Sequence, residues 1–345
     1  MTTDAKVHIV VELYTAEMPI EKEIRMNVKL SFRFCIIAFS LQLSVFPAMA
    51  ITTDKLADIC KEMESAIRDV SLEYEWYNIP PLTVEEEEKE MGVPMGVPKD
   101  GLRRFKFSAA GLLSNREPND PNSAFPDRLL LEESSTIMDK DGNTWDSITK
   151  ASYDGKIAKY LQIGGWPREI REGGISRSKR VFLPTANETP IGFSVFRLRK
   201  DIDKMPLCAW LKREGLVRLD NTIQKVNGFN TIHSDFLQRQ TKQVCRRVYF
   251  SVDHGYTPIK YDYIRQNEVF LTFEVQSLEQ VAQGLWFPSS GVINRAGDKQ
   301  VDVWQATSKI LVNRGLAEKD FDVEFPPGTK VRDEIKGMEY VIKPK

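Results

Sequence analysis

Val269-Phe270-Leu271-Thr272-Phe273-Glu274-Val275 places Val269, Leu271, Phe273 and Val275 on one side of an extended chain and Thr272 and Glu274 on the other. Side chains of a strand alternate between two faces, so this run reads as a strand with one apolar and one wetted side. Such a strand belongs to an antiparallel sheet whose apolar face is packed and whose polar face meets water. The signature recurs upstream. Leu72, Tyr74 and Trp76 alternate with Glu73 and Glu75, and Phe105 and Phe107 alternate with Arg104 and Lys106.

Turn chemistry supplies the rhythm between strands. Asp141-Gly142 separates expected strands at 128–138 and 143–153, Asp154-Gly155 leads into 156–163, and Asn227-Gly228 joins 216–225 to 229–237. Glycine accepts positive φ without steric cost, so these dipeptides predict hairpins and hence an antiparallel meander. Further strands are expected at 248–252 and 259–264, with the last long one at 301–312. Phe325-Pro326-Pro327-Gly328 is then expected to end regular structure. Leu207, Trp210 and Leu211 mark a short helix within 206–214.

Surface loops are expected near 80–100 and 114–126. The first holds Glu85 to Glu88 and the duplicated Met91-Gly92-Val93-Pro94, Met95-Gly96-Val97-Pro98, too proline-broken for a sheet. Arg168 to Arg180 is the one notable cationic segment, and its glycines and serine mark it as another loop. No composition break reads as an interdomain linker, so residues 51–345 are expected to form a single domain.

Ahead of the sheet, Thr53 is the expected N-cap of an amphipathic helix over 53–70. Leu56, Ile59, Cys60, Met63, Ala66, Ile67 and Val70 recur every three or four residues there. Its stripe either covers a sheet face or closes a ligand cavity.

The N-terminus carries an address. From Met26 the chain reads MNVKLSFRFCIIAFSLQLSVFPAMA, with Lys29 and Arg33 before an apolar core from Phe34 to Phe46 and small residues at Ala48 and Ala50. Those three parts predict a secretory signal cleaved after Ala50. Asp4, Glu12, Glu17, Glu21 and Glu23 suit no positive leader region, so translation is expected to start at Met26, or residues 1–25 to be disordered. The apolar run is short for a bilayer span of about 20 residues, so no integral membrane segment is expected after cleavage.

The 48 basic and 49 acidic side chains leave a net charge of −1, which argues against nucleic acid as a partner. Cys60, Cys208 and Cys245 follow the leader. Three widely spaced cysteines allow one disulfide or buried thiols and describe no zinc site. Only His233 and His254 remain, on different elements, so neither a metal nor a histidine-based catalytic centre is expected. No Gly-x-Ser-x-Gly elbow and no phosphate-binding glycine loop occurs. Asp139-Lys140-Asp141-Gly142-Asn143 opens like a calcium loop, but Thr144 stands where a glycine belongs and Lys150 where a glutamate should close it, so a hairpin turn is expected. A carboxylate-pair hydrolase stays open only because acidic residues are abundant.

The apolar side of the strands is rich in large residues: Tyr74, Trp76, Phe105, Phe107, Tyr261, Tyr263, Leu271, Phe273 and Trp286. Sheets of this kind either fill such a side with core or leave it as a lipid cavity.

Tyr153-Asp154-Gly155-Lys156, Asn227-Gly228-Phe229-Asn230-Thr231-Ile232, Val252-Asp253-His254-Gly255-Tyr256-Thr257-Pro258-Ile259 and Gly284-Leu285-Trp286-Phe287-Pro288 follow one another in the chain. With the leader, the amphipathic helix and the short helical crossing, this order resembles the periplasmic lipoprotein carriers, the LolA-like lipoprotein-sorting proteins, chiefly over 153–312. The resemblance implies a mainly β (α+β) fold, a strongly curved antiparallel sheet or incomplete barrel covered by one or a few helices. It implies a periplasmic carrier of lipoprotein acyl chains or another lipid, with no catalytic residue and no cofactor. The nine large residues above are then the candidate cavity wall, and Leu56, Ile59, Met63, Ile67 and Trp210 the candidate lid. The same fold could instead serve an envelope sensor or assembly protein that binds a protein partner.

Overall fold

In the computed structural model, which describes residues 50–81, 83–84, 97–111, 128–164, 170–177 and 207–344, the alternating runs form one large curved, unclosed sheet. Among the described residues it is accompanied by the α-helices α1 (Thr53–Ala66) and α2 (Leu207–Leu211). The first strands are β1 (Asp69–Ile79), β2 (Val97–Pro98), β3 (Leu102–Ala110), β4 (Arg128–Met138), β5 (Thr144–Tyr153), β6 (Ala158–Ile163) and β7 (Arg171–Ser176). After α2 come β8 (Val217–Val226), β9 (Phe229–Leu237), β10 (Val244–Ser251), β11 (Thr257–Arg265), β12 (Glu268–Ala282) and β13 (Leu285–Arg295). The chain ends with β14 (Val301–Ala306), β15 (Leu311–Val312), β16 (Lys330–Asp333) and β17 (Met338–Val341).

β1 sits in the middle. On one side it pairs with β3, and the meander continues through β4, β5, β6 and β7. On the other it pairs with β14, from which the sheet runs back through β13, β12, β11, β10 and β9 to β8. These neighbours are antiparallel, as the hairpin turns require. The one parallel pair among the described strands is β16 with β7.

Four expectations need correction. The segment read as a cationic loop contains β7, because Gly173 serves close packing here and not a turn. A Cβ on it would stand 2.5 Å from Cε1 of Phe325, so only a bare backbone admits that ring. Regular structure does not end at Pro326-Pro327-Gly328, since β16 and β17 follow and carry the tail back onto β7. The expected strand 301–312 is two strands, β14 and β15, both paired with β1. Helix α1 is capped by Thr52, whose Oγ1 accepts from Lys55 N at 3.2 Å, and it stops at Ala66, so that Val70 already belongs to β1.

A fifth correction concerns Val269. Gln266 and Asn267 both have positive φ, and a register shift after Tyr263 sets Ile264 opposite Val269. The hairpin tip therefore rotates, and Val269 is 45% exposed while Leu271 and Phe273 stay buried. The loop expected near 80–100 is described only at its ends, and there the reading that proline keeps it out of a sheet needs correction, since Val97 and Pro98 form β2 and pair with Met138 and Ile137 of β4. The loop expected near 114–126 and residues 1–49, which hold nearly all of the expected leader, lie outside the described residues.

Candidate functional site

The apolar face of the sheet meets α1 and α2, and the two layers bury one contiguous cluster. Tyr74 of β1, Phe105 and Phe107 of β3, Tyr261 and Tyr263 of β11 and Leu271 and Phe273 of β12 all belong to it. Trp76 is half-buried against its margin. Tyr74 stacks on Phe105 with ring centroids 4.9 Å apart, and Tyr263 meets Phe273 edge-on at 5.7 Å. From the helices come Leu56, Met63 and Trp210, with Ile67 just past the end of α1, while Ile59 is half-buried. Under α1 these side chains are thus buried together in one cluster.

Trp286 stands apart from the other candidates. Its neighbours Leu285 and Phe287 point into the cluster, whereas its own ring meets the His254 ring at 4.6 Å, nearly perpendicular. Phe229 closes on the same imidazole from 5.2 Å. His254 is held by Ser251, with Oγ and Nδ1 2.8 Å apart, and shapes a turn. His233 is elsewhere, bonded to Gln224 through Nδ1 at 2.9 Å.

Polar groups inside this apolar layer escaped the periodicity reading. Glu64 is 3% exposed and lies four residues after Cys60 and three before Ile67, squarely on the stripe of α1. Cys208 Sγ of α2 donates to Glu64 Oε2 at 3.1 Å. Burial and then this carboxylate push the Cys208 thiol up to about 12. Burial, Glu64 and Cys208 likewise raise Cys60 well above an ordinary thiol. All three described cysteines are free thiols.

Arg246 is the second such group. It shares a strand face with Val248 and Phe250 and is 1% exposed. Its guanidinium lies 4.8 Å from the Tyr263 ring and 5.5 Å from the Trp210 ring, joining the sheet to α2 by cation–π contact. The signal was present in the alternation Arg246, Val248, Phe250, which puts a cation in line with two core residues.

Asparagines tether α1 at both ends. Asn221 of β8 accepts from Ile51 N at 3.2 Å and donates to Ile51 O at 3.0 Å. Asn313 donates to Ala66 O at 2.7 Å and accepts from Arg68 N at 2.8 Å. Outside the layer, Lys212, just past the end of α2, pairs with Asp58 of α1 at 2.8 Å.

Several acidic residues serve structure. Asp235 holds Arg247 through two bonds of 2.6 and 3.0 Å, and Asp302 accepts from Arg295 at 2.6 Å. Asp139 Oδ1 accepts from the backbone of Asp141 and Asn143, closing the β4–β5 hairpin as expected of a turn. Among the described residues no group of histidine, cysteine and carboxylate side chains could hold a metal ion. No described helix is long and apolar enough to cross a membrane.

No family model matches the chain, and no curated protein matches it. Solved structures do. A domain described as an outer membrane lipoprotein-sorting protein from Vibrio parahaemolyticus is similar at 10% identity and a TM-score of 0.39, over 79% of this chain and 97% of that one. A DUF1329 family protein from Desulfovibrio piger is similar at 10% identity and a TM-score of 0.37, over 78% of this chain and 95% of that one. A LolA superfamily protein from Nitrosomonas europaea is similar at 11% identity and a TM-score of 0.37, over 79% of this chain and 99% of that one.

Proposed function

We propose that the chain is an exported carrier that binds lipoprotein acyl chains or another lipid on the sheet face under α1, without catalysis. The observation that supports this reading is the division of the apolar cluster between an unclosed sheet and a separate helical layer. α1 and α2 hold one another through Cys208 with Glu64 and Lys212 with Asp58. Toward the sheet they present mainly apolar side chains, and α1 is tethered at its ends by Asn221 and Asn313. A layer built this way can tilt about its tethers, exposing an apolar face that an acyl chain re-covers. Each methylene shielded from water contributes about 0.8 kcal/mol, so a long chain can replace the lost packing of the helices.

The leader read at 26–50 fits the same role, because a carrier of this kind works between membranes. Mature protein is then expected to begin near Ile51 and to reside in the periplasm. Native mass spectrometry of the exported chain, released gently from cell envelopes, tests the carrier reading. Expected is a fraction carrying one acylated ligand, identified after extraction. Protein that is ligand-free in every preparation, and that takes up no added lipid, would overturn it.

A further inference from the structure

A cavity of about 530 Å³ opens beside Trp210, between the end of α2 and the turn from β9 to β10. Its volume falls in the range of about 300–1,000 Å³ that small-molecule sites occupy. Trp210, Leu216, Leu237 and Cys245 give it an apolar wall. Arg213 and Arg239 bring positive charge, and Gln238 and Gln240 add amide groups. No acidic residue lines it among the described residues.

The wall also holds a donor in need of an acceptor. Trp210 is 2% exposed, yet its Nε1–H has no hydrogen-bond partner among the described residues. Buried indole N–H groups normally find one, because desolvating a donor without replacing its water is costly. The Arg213 guanidinium lies over the same indole ring, 4.6 Å from its centroid.

We propose that this cavity binds an amphiphilic oxyanion, a carboxylate or phosphate group attached to a short apolar chain. The oxyanion takes the charge of Arg213 and Arg239, which suits guanidinium recognition of planar or tetrahedral anions, and a shift of the indole on binding brings the buried Trp210 N–H to it. Its apolar part lies along Leu216, Leu237 and Cys245. This inference does not rest on the carrier reading, because the arginines and glutamines here lie outside the cluster under α1.

The test is titration of the mature chain with octanoate, octyl phosphate, octanol and inorganic phosphate. Affinity is followed by calorimetry and the Trp210 indole N–H by NMR, that resonance being assigned with Trp210→Phe. Expected are octanoate or octyl phosphate binding about tenfold more tightly than octanol, a downfield move of the Trp210 N–H, and about fivefold weaker binding in the exposed Arg239→Ala variant. Arg213→Ala should weaken binding in the same way, and Arg239→Ala carries the test should Trp210→Phe fail to fold. Octanol binding as tightly as octanoate would overturn the proposal, and so would inorganic phosphate binding as tightly as octyl phosphate. Octanoate that binds while the Trp210 N–H stays still and Arg239→Ala changes nothing would also sink it, while placing the ligand elsewhere, as the carrier reading allows.

Discussion

Cys208 Sγ donates to Glu64 Oε2 at 3.1 Å, so a thiol of α2 satisfies a carboxylate buried on the inner stripe of α1. Removing that donor takes a hydrogen bond away from a buried side chain, which costs about 1–3 kcal/mol. Cys208→Ala is expected to lower stability by that amount in urea unfolding. Cys208→Ser keeps a donor at the position and should lose less.

The same pair sets a pH dependence. In the folded chain the Cys208 thiol titrates near 12, against about 9 for an ordinary thiol, and Cys60 is shifted upward as well. Between those values the unfolded chain has released protons that the folded chain retains, so stability declines as pH rises. Below about pH 9 the contribution is fully present. Tyr74 and Tyr261, raised chiefly by burial, push in the same direction at still higher pH. Unfolding free energy is expected to fall from pH 9 toward pH 12, with a shallower decline in Cys208→Ser. The native thiols should also react with iodoacetamide at pH 8 far more slowly than those of the urea-unfolded chain.

Phe325 lies where a Cβ at Gly173 would stand, 2.5 Å from its Cε1. Gly173→Ala must displace the ring or the strand, at about 1–3 kcal/mol. Trimming the ring in Gly173→Ala, Phe325→Leu should recover part of that loss. A double-mutant cycle by thermal unfolding reads the coupling, and additive effects would show that the contact is not the cause.

Asn313 holds both Ala66 O and Arg68 N while its own φ is +56. Asn313→Gly keeps that backbone conformation and removes the tether. Hydrogen exchange at 65–68 is expected to quicken, with a stability loss of about 1–2 kcal/mol. If α1 moves as a lid, lipid release should quicken too.

Much of this architecture was legible where apolar and polar residues alternate cleanly. β1 and β3 were readable from Leu72 to Trp76 and from Phe105 to Phe107, because one face is buried by helices and the other is wet. β7 was not, since two glycines argue for a turn unless the distant Phe325 is known to need the space. Leu285-Trp286-Phe287 is apolar throughout, so the run carries no sign that Leu285 and Phe287 join the cluster while Trp286 meets the His254 ring. Glu64 and Arg246 sit on apolar stripes where single-letter periodicity favours ignoring them. What satisfies each, Cys208 for one and the Trp210 and Tyr263 rings for the other, comes from another element and is visible only in three dimensions.

Acyl-chain binding under α1 is tested most directly by photocrosslinking with a diazirine-bearing fatty acid, followed by peptide mass spectrometry. Label is expected in Thr53–Ala66 and in β11 and β12, at or beside Tyr261 and Phe273. An unlabelled protein, or label confined to the surface or to the cavity at 237–240, would contradict a lipid site beneath the helix.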